Sequence, residues 1–123
     1  MFARMTFLQV KLDCIDEAIE LYEKSVIPSA KRQRGFRGYC LLSNREDGKG
    51  ISVTFWKTRE DALANEKSLY YQEQLVKGLG FLTGPPIREE YEVNIHQFEA
   101  LAKRRAAKKA GGKKRPKAGV KKK

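Results

Sequence analysis

The stretch GFRGYCLLSNREDGKGISVTFWKTRED, residues 35–61, decides the fold. Gly35-Phe36 opens a strand over 36–43, with Phe36, Cys40 and Leu42 on one face and Tyr39 and Leu41 on the other. Asp47-Gly48 is a hairpin signal, because glycine accepts the positive φ that a tight turn requires. The strand that follows, 51–56, alternates Ile51, Val53 and Phe55 against Ser52, Thr54 and Trp56. Thr58-Arg59-Glu60-Asp61 then resembles a capping box, with Asp where Glu or Gln is usual, and starts a helix to about Lys77.

On the N-terminal side, FARMTFLQV (2–10) reads as a strand with Ala3, Met5 and Phe7 on one face and Phe2, Leu8 and Val10 on the other. Asp13 is the expected N-cap of a first helix, with Asp16 and Glu17 favouring the positive end of its dipole. Ile15, Ala18, Ile19, Tyr22 and Val26 make one helical stripe, and Pro28 is expected to kink or end the helix near Ile27. On the C-terminal side, Gly78, Gly80 and Gly84-Pro85-Pro86 break the chain before a last strand, 87–96, whose expected buried face is Ile87, Glu89, Tyr91, Val93 and Ile95. The order β-α-β-β-α-β is the ferredoxin-like pattern, a four-stranded antiparallel α+β sheet with both helices on one face. Two helices cover one sheet face only, yet strands one and two are apolar on both, and Trp56 is expected on the uncovered side. A second copy packed sheet to sheet, a two-fold homodimer, is the economical way to shield that patch.

The 123 residues allow one domain and little more. No apolar run approaches the roughly 20 residues that span a bilayer, and the start carries no secretory pattern, so a cytoplasmic protein is expected. Two cysteines, Cys14 and Cys40, provide no disulfide framework, and a single histidine, His96, excludes a multi-histidine metal centre within one chain. Cys14, beside a helix start, is a candidate for a lowered thiol pKa, while Cys40 reads as a small apolar residue. A P-loop, a GxGxxG turn and a GxSxG elbow are absent.

The net charge of +11 is unevenly placed. Residues 1–97 hold equal numbers of acidic and basic side chains, whereas residues 98–123 hold twelve Lys and Arg against Glu99 alone. We therefore divide the chain into a folded domain, 1–97, and a basic tail, 98–123, expected to be disordered when free because it has too little apolar surface to offset its entropy. Ala100–Ala110 has good helix formers and is a candidate for helix formation against a polyanion. Lys103, Arg104, Arg105, Lys108, Lys109, Lys113, Lys114 and Arg115 are the candidate nucleic-acid contacts. They would bind through counterion release, without base reading, to nucleic acid or another polyanion along residues 103–123.

The element order, Gly35-Phe36 opening strand two after a helix, and Phe55-Trp56-Lys57-Thr58 before the acidic start Glu60-Asp61 together resemble the dimeric α+β barrel group. Within it, residues 1 to about 96 resemble the antibiotic biosynthesis monooxygenase-like domains. The resemblance implies a domain that uses O2 without metal or flavin to oxidise electron-rich aromatics such as quinols, the substrate itself being the reductant. The haem-degrading branch resembles the chain poorly, because strand one lacks an Asn and helix 58–77 lacks Trp and His. The site implied is a pocket between helices and sheet lined by Tyr, Trp, Asn and Arg. Trp56 matches by motif; Tyr70 and Asn65 on the second helix are further candidates for catalysis, as is His96 for acid–base work. Tyr22, Tyr71, Arg37 and Arg88 are candidate ligand contacts, the arginines for a phenolate, and an adjacent pair such as Tyr70-Tyr71 can send only one member to a pocket. Two readings follow: a cofactor-independent monooxygenase-like protein for a small aromatic, or a non-catalytic dimeric module whose basic tails bind nucleic acid.

Overall fold

The structure is a computed structural model that describes residues 1–98. Residues Met1–Val93 form one compact unit, and the chain from Asn94 onward belongs to a second. The candidate contacts Lys103, Arg104, Arg105, Lys108, Lys109, Lys113, Lys114 and Arg115, and the candidate helix Ala100–Ala110, lie outside the described residues.

Strand β1 spans Phe2–Gln9, β2 Phe36–Ser43, β3 Lys49–Trp56 and β4 Ile87–Glu92. They form one antiparallel sheet in the order β2-β3-β1-β4, the ferredoxin-like arrangement. Helices α1 (Ile15–Leu21) and α2 (Ile27–Lys31) are joined by a π-helical turn, Tyr22–Val26; α3 (Arg59–Glu66) is followed by α4 (Leu69–Gly78). No helix among the described residues is long and apolar enough to cross a membrane.

Two glycines fix the path at the ends of the central hairpin. Gly48 has φ +79°, and a Cβ there would run into the Val10 carbonyl. Gly35 has φ +81°, and a Cβ there would collide with the Asp61 side chain; its carbonyl accepts the Lys57 N–H at 2.7 Å. The start of β2 is thereby tied to the turn between β3 and α3. Thr58 Oγ1 accepts the Asp61 N–H at 3.1 Å, so the expected cap on α3 forms.

Several local expectations are corrected. Asp13 does not cap the first helix: it lies in a 3-10 turn, Leu12–Cys14, and Cys14 precedes Ile15 with no side-chain cap bond. Pro28 does not end the helix. The widened turn before it lets Ile27 N–H bond Tyr22 O, and the helix continues to Lys31. The second helix is interrupted because Ser68 Oγ accepts the Tyr71 N–H at 3.1 Å and begins a new helix at Leu69. Strand β4 stops at Glu92 rather than at His96.

The face assignments change as well. The register pairs Phe2 and Phe36 with Trp56, Arg4 with Thr54 and Thr6 with Ser52, so these side chains share the helix-covered face. Trp56 is 0% exposed there, its ring edge-on to Phe36 at 5.5 Å between centroids, and is not on the open side. A bulge between Phe36 and Gly38 reverses Phe36 relative to Cys40 and Leu42. The open face carries Ala3, Met5, Phe7, Ile51, Val53, Phe55, Cys40 and Leu42. The β4 face expected to be buried joins it: Ile87, Glu89 and Tyr91 pair with Phe7, Met5 and Ala3, and Ile87 is 61% exposed.

Gly48→Ala is expected to destabilise the domain by about 1–3 kcal/mol, the range for a non-glycine residue held at positive φ. At Gly38 an added Cβ meets only Phe55, at 3.9 Å, so Gly38→Ala should be close to neutral. Urea midpoints check the pair; equal losses would contradict the assignment of strain to the turn.

Candidate functional site

The helix-covered face of β1 runs from polar to apolar: Arg4, Thr6, Leu8, Val10. Its polar end holds a buried cation. Arg4 is 5% exposed; its Nη2 donates to Asn65 Oδ1 at 2.8 Å and its Nη1 to the Ala62 carbonyl at 3.3 Å. The guanidinium carbon lies 5.3 Å from the Trp56 ring centre and 4.7 Å from that of Tyr71. Such desolvated cation–π contacts contribute about 0.5–2 kcal/mol each. Glu66 Oε2 stands 3.6 Å from Arg4 Nη1. Burial pushes the Arg4 pKa down, while Tyr71 and Glu66 oppose that shift; a guanidinium keeps its proton regardless.

Behind Tyr71 lies a second arginine. Arg88 Nη1 donates to Tyr71 Oη at 2.9 Å, and Arg88 Nε is 3.7 Å from Glu66 Oε1. The bond to Tyr71 raises the Arg88 pKa. Tyr71 is thus held between two guanidinium groups, with its hydroxyl oriented by Arg88.

Between helices and sheet is a cavity of about 150 Å³. Arg4, Thr54, Asn65 and Tyr71 line its polar end; Leu8, Val10, Leu21, Leu79, Phe81 and Leu82 contribute apolar wall. Tyr22 enters from the π-helical turn, where its hydroxyl shares a 2.7 Å hydrogen bond with Ser52 Oγ. Its burial pushes the phenol pKa up, against the lowering effects of Ser52 and Arg4. The volume matches a single aromatic ring and falls short of the several hundred cubic ångströms that hold drug-sized ligands.

Of the candidates from sequence, Asn65, Tyr22 and Tyr71 line this cavity. Trp56 stands behind Arg4, donating Nε1–H to Thr54 Oγ1 at 2.9 Å, and is not part of the lining. Tyr70 is 52% exposed, since its neighbour Tyr71 takes the inward direction on α4. Arg37 is exposed at the bulge of β2, beside a separate hollow with Gln33, Arg34 and Lys57. Arg88 reaches the site through Tyr71 from a shallow outer hollow. His96 is exposed and belongs to the second unit, its ring centre 5.9 Å from that of Phe98. The Cys14 thiol pKa is raised, not lowered: desolvation acts first, then the bond to Asp13. Sequence reasoning missed Arg4 and Glu66. A lone charge inside the apolar strand FARMTFLQV was the available signal for Arg4.

Residues 1–74 match the family model described as antibiotic biosynthesis monooxygenase, and the chain belongs to that family. An uncharacterized protein of Mycobacterium tuberculosis is 29% identical over 93 residues, which are 75% of this chain; the chain spans about 40% of that relative's length. A conserved protein from Methanosarcina mazei superposes with a TM-score of 0.65 at 18% identity, covering 76% of this chain and 92% of its own. A mutant of SnoaB, a cofactor-independent oxygenase from Streptomyces nogalater, superposes at 0.66 with 13% identity, covering 80% of this chain and 97% of its own. At such identities the structural matches establish the fold.

The raised Tyr22 pKa carries a consequence for alkaline stability. A phenol with a folded pKa above its ordinary value of 10.0 contributes stability that is complete below that value and is lost as pH rises through the folded pKa. Tyr91, raised chiefly by its bond to Glu89, acts in the same direction. Tyr22→Phe is expected to flatten the alkaline part of the stability curve, and to cost about 0.5–1.5 kcal/mol at neutral pH for the lost bond to Ser52. Urea unfolding across the alkaline range checks it; an unchanged slope would contradict the burial of the phenol.

Proposed function

We propose that this domain is a cofactor-independent monooxygenase-type protein that takes a small, single-ring phenol or hydroquinone into the cavity between helices and sheet. The observation that carries the reading is the buried Arg4 guanidinium at one end of a cavity of single-ring size whose other end is walled by aliphatic side chains. Its five N–H donors exceed the two hydrogen bonds that hold it among the described residues, leaving donors for a ligand oxygen. Asn65 fixes the guanidinium, Tyr71 and Trp56 flank it, and the aliphatic wall excludes water from the ring.

In this reading the phenol releases its O–H proton to solvent as it binds, the phenolate oxygen is held by Arg4, and a proton from solvent later returns to the peroxide oxygen. The electron-rich ring passes one electron to O2, and the two radicals combine to form a bond between a ring carbon and oxygen. Loss of water from the resulting hydroperoxide leaves a quinone carbonyl. Phenol plus O2 gives quinone plus water, the ring supplying all four electrons. Family membership and the fold shared with a cofactor-independent oxygenase support this chemistry. The domain would act as a cytoplasmic homodimer formed through the open apolar face, and the tail would hold polyanions without sequence preference.

Oxygen consumption with a panel of single-ring hydroquinones tests the activity. Asn65→Ala, which removes the acceptor that orients the Arg4 guanidinium, is expected to lower kcat by about 10²-fold, the order for a binding group displaced by about 1 Å. Absence of uptake above the buffer rate for every ring would contradict the reading.

Sedimentation at micromolar concentration should return a dimer for the full chain and a monomer for Val53→Glu, which places a charge at the centre of the open face. Retention of duplex DNA by the full chain should fall steeply as salt rises, and more weakly after Lys/Arg→Gln changes at 103–115. A monomeric parent, or salt-insensitive DNA binding, would contradict these parts.

A further inference from the structure

Glu66 is a largely buried carboxylate whose position the fold alone does not explain. It lies on α3, 14% exposed at its side chain, and its Oε2 is buried without a hydrogen-bond partner. It faces Arg4 on β1 at 3.6 Å and Arg88 on β4 at 3.7 Å. Both separations are too long for hydrogen bonds. The remaining neighbours are Tyr71 on α4, bonded by Arg88, and a second ion pair, Arg59 on α3 with Glu90 on β4 at 3.3 Å. Glu89 is directed to the other sheet face, where it bonds Tyr91. Glu90 also acts on Arg88, so three guanidinium groups, Arg4, Arg59 and Arg88, face two carboxylates, Glu66 and Glu90. One positive charge is uncompensated among the described residues, at the polar end of the cavity.

We propose that Glu66 is a positioning residue that moderates the positive charge of the cavity's polar end, where Arg4 and Arg88 select the ligand in its anionic form and Glu66 sets how strongly they do so. Glu66 stands behind Arg4 and does not line the cavity. It acts through the guanidinium: it steadies the buried cation when the cavity holds no anion, and its loose contact leaves Arg4 donors free for an incoming phenolate. The ligand class is therefore a ring whose hydroxyl is acidic enough to ionise on binding. Neutral rings of the same size, such as anisoles, lack the charge that the site is missing. A like-charged neighbour destabilises an anion, so removing the Glu66 charge should deepen the selection, while deleting Arg4 should abolish it. The inference rests on the proposed phenol site and says which protonation state that site takes.

The probe is para-nitrophenol, whose phenol and phenolate differ in visible absorption, titrated against the full chain under argon at a series of pH values. For the parent we expect the bound dye to ionise at lower pH than the free dye. Glu66→Gln should lower the bound dye's apparent pKa further. Binding at pH values above the free dye's pKa should then tighten by about tenfold for every pH unit by which the bound pKa falls, with binding on the acid side unchanged. Glu66→Asp should restore most of the parent behaviour. Should Arg4→Met fail to fold, Arg88→Gln provides the second arm, with a raised pKa for the bound dye. A dye bound as the neutral phenol, or a bound pKa that Glu66→Gln leaves unmoved, would overturn the role of Glu66 while leaving a phenol site standing. No binding of para-nitrophenol or of any unsubstituted phenol would overturn both.

Discussion

A guanidinium on the covered side of a sheet must be answered by its neighbours, because an unpaired buried charge costs several kcal/mol. Arg4 makes that demand of three further elements. Strand β3 supplies the Trp56 ring, α3 supplies the Ala62 carbonyl, Asn65 and Glu66, and α4 supplies Tyr71. Asn65 and Tyr71 are six residues apart, a spacing that does not share a face on one continuous helix. The break at Lys67–Ser68 resolves this: a new cap at Ser68 restarts the helix in a direction that returns Tyr71 to the same guanidinium. The interruption of the second helix and the burial of the cation are thus one structural solution.

The same logic shapes the first helix. A regular α-helix through Pro28 would set the proline ring against the carbonyl four residues earlier. The π-helical turn Tyr22–Val26 takes up that misfit, and its first residue is the tyrosine whose hydroxyl meets Ser52 across the cavity. Local backbone irregularities in both helices therefore coincide with the two tyrosines that line the cavity. Between them, the alternate residues of β1 pass from Arg4 to Val10, and the site acquires a charged end and a greasy end from a single strand.

The element order and the sheet topology are legible in the sequence because the turn chemistry is strong. Gly35 and Gly48 both adopt positive φ, and Thr58 caps where the capping pattern places it. Which face the helices cover is not legible. Alternation alone puts the apolar residues of β3 inward, whereas Ser52 and Thr54 are inward because they line a cavity, and Ile51, Val53 and Phe55 sit on the open side. The same parity sends Trp56 to the wrong side. The bulge after Phe36 is invisible in the alternation of apolar residues, since it adds one residue to a strand whose pattern otherwise continues. Within the site, Asn65, Tyr22 and Tyr71 are reachable from element and spacing. Arg4 and Glu66 are not, because their importance arises only when β1 and α3 are brought together across the domain.

Everything proposed for the cavity depends on the Arg4 guanidinium receiving the oxygen of a single-ring phenol. A crystal structure of the full chain grown anaerobically with hydroquinone tests this most directly. The expected result is a ring among Leu8, Tyr22 and Leu75 with one oxygen within hydrogen-bond distance of the Arg4 guanidinium. A ring bound elsewhere, or a cavity without a ring and Arg4 bonded to Asn65 and Ala62 alone, would contradict it.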